Sequence, residues 1–251
     1  MTKKNLTNEL TKNLVYLKLQ WIREHYEELA TDAADKEWGH VNFLGHLIEG
    51  EANLRLDRAT ERRIKAAHFP VVKTIEEFDW TWPKKINRAQ IQNLLRLNFI
   101  EQKANVVFLG GVGLGKTHLA ITLGYQACLQ GHRTLFTSAA DIINTLTAAQ
   151  AAHRLKLELK KYLRPALLVI DELGFMPIDK HGADMLFQVI SQRYEQGAII
   201  LTTNKNFKTW ASIFNNDSVV TSAILDRLLH HAETAVILGK SYRLKDRIEP
   251  A

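Results

Sequence analysis

Residues Gly110-Gly111-Val112-Gly113-Leu114-Gly115-Lys116-Thr117 spell G-x-x-x-x-G-K-[ST], residue types suited to holding a chain of phosphates. Glycines let the backbone wrap until its N–H groups converge on phosphate oxygens, which a Cβ would obstruct. A helix opening at Lys116 points its positive end at the same anion. Lys116 then neutralises β- and γ-phosphate charge, and the Thr117 hydroxyl ligates Mg²⁺. His118 opens that helix and counts as a neighbour of the bound nucleotide, with no chemistry of its own. The competing reading is a glycine-rich turn that merely joins strand to helix. The apolar strand before the loop and the helix after it favour the phosphate cradle.

A second acidic feature suits water activation. Leu167-Leu168-Val169-Ile170 runs into Asp171-Glu172, and two carboxylates at a buried strand end are costly unless they serve nearby charge. Asp171 would hold the Mg²⁺ shell, and Glu172 would polarise the water that attacks the γ-phosphate. Asn204 ends the stretch Ile199-Ile200-Leu201-Thr202-Thr203-Asn204. A neutral amide there can bridge water and phosphate, although Asn after a strand is also an ordinary turn residue. Arg227 and Arg243 are candidates for stabilising transition-state charge, against the default of surface cations.

The elements that must position these groups alternate. Short apolar strands are expected at 106–109, 135–137, 167–170, 198–202 and 235–238. Helices are expected from Lys116, from Ser138, from about His181 and near Leu225. Such alternation marks an α/β fold, a parallel sheet flanked by helices on both faces. Ser138 with Asp141 matches a capping box, and Asn87 is a plausible N-cap for a helix carrying Ile91, Leu94 and Leu95. Between Pro70 and Pro83 lies an aromatic stretch with Phe78, Trp80 and Trp82, expected to pack onto a domain. Up to about Phe69 the pattern is helical. Leu6, Leu10, Leu14, Leu17, Trp21 and Leu29 read as one buried stripe, and Trp38, Val41, Phe43, Leu44, Leu47 and Ile48 as a second helix. Arg55, Arg58, Arg62 and Lys65 share one face of a third. Division is therefore expected into a small all-α N-terminal domain (1–68), for DNA or partner binding or assembly, and a nucleotide domain (69–251).

With 46% hydrophobic and 24% charged residues the 251-residue chain is globular, excluding a disordered or collagen-like polymer. The lone Cys128 excludes an internal disulfide framework and favours a reducing compartment. No apolar run approaches a membrane span and the N-terminus lacks a signal-peptide pattern, so a soluble cytoplasmic protein with no membrane partner is expected. Net charge is +6. Residues 1–54 carry 6 basic and 9 acidic groups, 55–103 carry 11 and 6, and 104–251 carry 16 and 12. The basic excess thus lies outside the first helices. Two stretches are candidate phosphate-backbone contacts: Arg55, Arg58, Arg62 and Lys65, and Arg154, Lys156, Lys160, Lys161 and Arg164 on an amphipathic helix. For the latter a merely solvated helix is an equal alternative. The pair His230-His231 has no third partner at ligand spacing along the chain, so a zinc site is not expected.

Together these segments resemble the AAA+ ATPases, and within them the IstB family. These are ATP-dependent helpers of insertion-sequence transposition, related to the DnaC helicase loaders and to DnaA. The resemblance is carried by Phe69-Pro70, the run from Lys73 to Asp79, Gly115-Lys116-Thr117-His118-Leu119-Ala120, the run from Leu168 to Phe175, Asp226-Arg227-Leu228 and Ser241-Tyr242-Arg243. It implies an AAA+ P-loop fold using ATP and Mg²⁺, with Arg227 as an arginine finger on a neighbouring subunit's nucleotide. It also implies a ring or spiral of identical copies on double-stranded DNA, delivering a target to an IstA-type transposase. Only 13 residues (239–251) follow the last expected strand, so no C-terminal helical lid is expected, and Arg243 inherits the lid arginine's role. The alternative within the fold is a DnaC-like loader acting on a replicative helicase and single-stranded DNA. A different class is a small-molecule kinase or a nucleotide-gated switch, but nothing resembles an acceptor-binding lid.

Overall fold

The structure is a computed structural model and describes residues 3–244, with side chains from residue 8 onward. The chain divides into two compact units, Met1–Arg62 and Arg63–Ala251.

The first unit is helical: α1 (Lys3–Tyr16), α2 (Gln20–Asp35) and most of α3 (His40–Ala66). The stripe expected to be continuous through Leu17 and Trp21 breaks where Lys18 turns left-handed at φ 57°. Leu14 packs with Ile22 and Leu47, while Leu10 and Leu17 are exposed. The Leu6 side chain lies outside the described residues. In the opposite sense, the expected second and third helices are one 27-residue helix, α3. Gly50 lies inside it because a Cβ there would collide with the Trp21 ring. The buried Glu51 accepts backbone N–H bonds from Trp21 at 2.8 Å and Ile22 at 3.4 Å, capping the start of α2.

The second unit has α4 (Arg88–Leu94), α5 (Asn98–Glu101), β1 (Asn105–Gly110), α6 (Lys116–Leu129), β2 (Thr134–Ser138), α7 (Ala139–Ala151) and α8 (Leu155–Leu163). Then follow β3 (Leu167–Leu173), α9 (Lys180–Arg193), β4 (Ala198–Thr203), α10 (Ser218–Leu229) and β5 (Ala232–Ile237). The strands form one sheet in the order β2-β3-β4-β1-β5, every pair parallel. Alternate strand residues serve opposite faces. Val107, Leu168, Ile170, Ile199 and Leu201 enter the core beneath α7, α9 and α10, whereas Val106, Phe108, Leu167, Val169, Ala198 and Ile200 enter the one beneath α4 to α6. Ser138 accepts the Asp141 N–H at 3.0 Å and Asn87 accepts that of Gln90 at 3.1 Å, so both expected caps form.

This strand order positions the site. The loops leaving β1, β3 and β4 emerge from adjacent central strands at their carboxyl ends, the rim where open parallel sheets bind ligands. Behind that rim two buried polar residues fix the opposite end of the sheet. Asn105 donates from Nδ2 to Leu228 at 2.9 Å and accepts the Ile199 N–H at 3.0 Å. Arg193, 1% exposed, donates to backbone carbonyls of Tyr162, Pro165, Ala166 and Ala198, and burial pulls its pKa down to about 10.

Candidate functional site

A cavity of about 530 Å³ opens at this rim. It is lined by Val112, Gly113, Leu114, Gly115, Lys116, Thr117 and His118 of the loop, with Glu172, Asn204 and Arg243 arriving from elsewhere. Gly110 and Gly111 form the loop's start, outside that lining. Two glycines are forced by geometry. Gly113 and Gly115 adopt φ of 73° and 83°, and a Cβ on them would strike Ser241 Oγ and the Phe78 ring respectively.

Lys116 Nζ donates to the Gly111 carbonyl at 2.7 Å, so its ammonium is held inside the loop's curve. Burial pushes its pKa down, the Asp171 carboxylate opposes that, Arg243 adds to it and Glu172 opposes it. An anion entering the cavity would favour the charged form. Thr117 Oγ1 lies 3.0 and 3.1 Å from the two oxygens of Asp171, which is 6% exposed. A hydroxyl and a buried carboxylate converging below a glycine cradle are the oxygen ligands Mg²⁺ takes.

Glu172 and Asp171 diverge although adjacent. The β3–β4 register shifts between Ile170 and Leu173, the mark of a bulge, and Glu172 takes a left-handed φ of 60°. Asp171 consequently stays buried while Glu172 is exposed to the cavity. Thr202 on β4 secures both, donating to Asp171 Oδ1 at 2.5 Å and accepting the Glu172 N–H at 3.0 Å. Asn204 Oδ1 is buried and has no hydrogen-bond partner among the described residues. An unsatisfied buried carbonyl in a cavity wall is costly until a ligand or water supplies a donor.

The aromatic stretch packs onto the nucleotide domain as expected, but its place in the cavity wall was not foreseen. Lys73, Glu77, Phe78, Asp79, Trp82 and Pro83 bring the aromatic stretch against the loop, where Phe78 packs edge-on to His118 at 5.4 Å. His118 Nε2 lies 2.9 Å from the Thr74 carbonyl. Tyr242 donates its N–H to Gly113 at 2.8 Å and meets Trp82 edge-on at 5.8 Å. That bond draws Arg243 to the cavity. Nothing in the sequence signals these pairings, which join segments about 40 to 160 residues apart.

Arg227 is not brought to this cavity. Its Nη1 donates to the Ala223 carbonyl at 3.1 Å and its guanidinium lies over the Phe187 ring at 5.0 Å. The cationic stretches differ in their engagement. Arg55 pairs with Glu51 at 3.0 Å and Arg58 with Gln20 at 2.6 Å, whereas Arg62 and Lys65 project from α3 as exposed residues. On α8, Leu159 and Tyr162 are buried, and Arg154, Lys156, Lys160, Lys161 and Arg164 all face outward, with Lys161 paired to Glu158.

Residues 12–250 match the family of IstB-like ATP-binding proteins. The chain belongs to that family. It is 42% identical over 240 residues to the ATP-binding protein of insertion sequence IS21 of Pseudomonas aeruginosa, covering 96% of this chain and 90% of that one. With the corresponding protein of IS232 from Bacillus thuringiensis subsp. berliner it is 41% identical, covering 97% of both. Membership makes the chain an ATP-binding protein, and both of these relatives are ATP-binding proteins of insertion sequences. The fold is similar to that of the DnaC helicase loader, with a TM-score of 0.53 at 23% identity over 65% of this chain and 96% of that one. It is equally similar to DnaA bound to AMPPCP and single-stranded DNA, at a TM-score of 0.54 and 22% identity over 70% and 54%. Among the described residues no helix is long and apolar enough to cross a membrane.

Proposed function

We propose that this chain is a Mg²⁺-ATP-dependent helper of transposition, which assembles as a ring or spiral on duplex DNA and presents a target to an IstA-type transposase. ATP lies along the glycine loop, with Lys116 beside its β- and γ-phosphates. Thr117 and Asp171 hold Mg²⁺, which when bound supplies Lewis-acid neutralisation of phosphate charge. The Glu172 carboxylate takes a proton from water as its oxygen bonds to the γ-phosphorus. The bond to the bridging oxygen breaks and ADP departs with it. Asn204 orients that water, and Arg243 stabilises charge on the transferred phosphoryl group.

The observation that carries the hydrolytic reading is the buried Oδ1 of Asn204, without a hydrogen-bond partner among the described residues, beside an exposed Glu172 and a buried Asp171. Arg227, away from its own chain's cavity, completes the site of a neighbouring copy. The insertion-sequence relatives support the transposition role. The outward cations of α8 and the exposed Arg62 and Lys65 supply phosphate contacts that assembly multiplies. The helices of residues 1–68 serve DNA or partner binding or assembly, and the protein works in the cytoplasm.

Light scattering with and without ATP and duplex DNA tests this reading. Growth from small species to a larger assembly only when both are present is expected, and a particle of constant size contradicts it. Affinity should fall with salt at a log–log slope of about −0.9 per phosphate neutralised. The likeness to the DnaC loader fold supports a second reading, action on a replicative helicase and single-stranded DNA. Tighter binding to single strands than to duplex would favour it.

A further inference from the structure

Away from the nucleotide cavity, Glu195, His230 and His231 each offer one ligand atom, and these atoms all lie within 4.8 Å of one another. All three residues are exposed, so an ion can reach them directly. The histidine pair lacks a third ligand along the chain, and tertiary structure supplies one from the turn after α9. We propose that Glu195, His230 and His231 form a binding site for a zinc-class divalent cation that staples the turn after α9 to the end of α10.

The chemistry selects the class of ion. Two imidazoles and a carboxylate are borderline-soft ligands that suit Zn²⁺ and leave a position open for water. Mg²⁺ and Ca²⁺ prefer oxygen ligands throughout. The Tyr194 hydroxyl lies 2.8 Å from His230 Nδ1. That hydrogen bond orients the ring, and in the tautomer whose Nδ1–H donates to the hydroxyl it leaves Nε2 free to ligate, an arrangement that metal-binding histidines commonly require. His231 Nε2 lies 3.8 Å from Glu195 Oε1, and the two imidazole centroids are 4.0 Å apart.

The backbone beneath is fixed before any ion arrives. The His231 carbonyl accepts the Asn105 N–H at 2.6 Å, and Asn105 Nδ2 holds the Leu228 carbonyl. The His230 N–H donates to Asp226 at 3.1 Å. Across the gap, Gln196 and Gly197 donate to the carbonyl of the buried Arg193, and Glu195 turns left-handed at φ 58°. Small side-chain movements then suffice to close the ligands on one ion. Arg227 precedes His230 by three residues on α10, so occupancy would steady the turn that carries it. The binding site itself stands whatever Arg227 does.

Zn²⁺ titration by calorimetry, on the full nucleotide-free chain in Mg²⁺-free buffer, tests the assignment, with Co²⁺ absorbance as a second probe. The wild-type chain should take up one more equivalent than the variant His230→Ala/His231→Ala. Zn²⁺ should raise the unfolding midpoint of the first and not of the second. Tyr194→Phe should retain the equivalent with roughly tenfold weaker affinity. Equal Zn²⁺ uptake by wild type and the double variant, with the variant's circular dichroism unchanged, overturns the proposal.

Discussion

Thr202 donates its hydroxyl proton to Asp171 across 2.5 Å, so the end of β4 sets the carboxylate at the end of β3. The same oxygen accepts the Glu172 N–H at 3.0 Å and thereby stabilises the bulge that separates the two acids. One side chain on a neighbouring strand thus holds a buried carboxylate and an exposed one in different environments.

Thr202→Val keeps the shape and removes the hydroxyl, leaving the Glu172 N–H without its acceptor. Stability should fall by about 1–3 kcal/mol, read by denaturant unfolding. ATP turnover should fall by roughly tenfold or more as Glu172 loses its setting. Wild-type turnover would contradict the positioning role.

Asn204→Ala separates stability from function. Its Oδ1 has no partner among the described residues, so truncation should leave the unfolding free energy unchanged or slightly raised. Turnover should nevertheless drop on the order of 100-fold, as for loss of one transition-state hydrogen bond. A destabilised variant with normal turnover would reverse the assignment.

Glu172→Gln should bind ATP with near-normal affinity and hydrolyse it at least about 100-fold more slowly. Fluorescent-nucleotide binding alongside phosphate release reads both quantities. Unimpaired release would remove Glu172 as the base.

Lys116 carries a pH signature. Burial holds its pKa below the ordinary lysine value, so in the empty protein its charge is lost at lower pH than usual. ATP favours the charged form, and its affinity should therefore be full well below that pKa and decline as pH rises through it. Lys116→Ala should lose ATP binding altogether. Nucleotide affinity unchanged by that substitution would displace the loop from its assigned role.

How much of this was legible in the residues follows from distance along the chain. The phosphate loop, the Asp171-Glu172 pair and the alternation of strands and helices are contiguous patterns, and the sheet forms as the alternation implies. Thr202 carries no local signal, and the segments that hold Phe78 and Tyr242 stand out without showing what they meet, because each residue gains its place only through a partner far away in sequence. The approach of Glu195 to the histidine pair was hidden for the same reason. In the helical unit the break at Lys18 carries neither Gly nor Pro, so the stripe reads straight through it. The joined α3 contains a glycine that resembles an interruption and instead admits the Trp21 ring.

The central claim is that Arg227, remote from its own chain's cavity, acts on a nucleotide held by a neighbouring copy. Mixing Arg227→Ala protein with Lys116→Ala protein on duplex DNA tests it most directly, because each inactive chain retains the half-site the other lacks. The account predicts ATP turnover in the mixture, maximal near equal proportions and absent from either variant alone. No turnover at any ratio, with mixed assemblies verified by tagged pull-down, would contradict it.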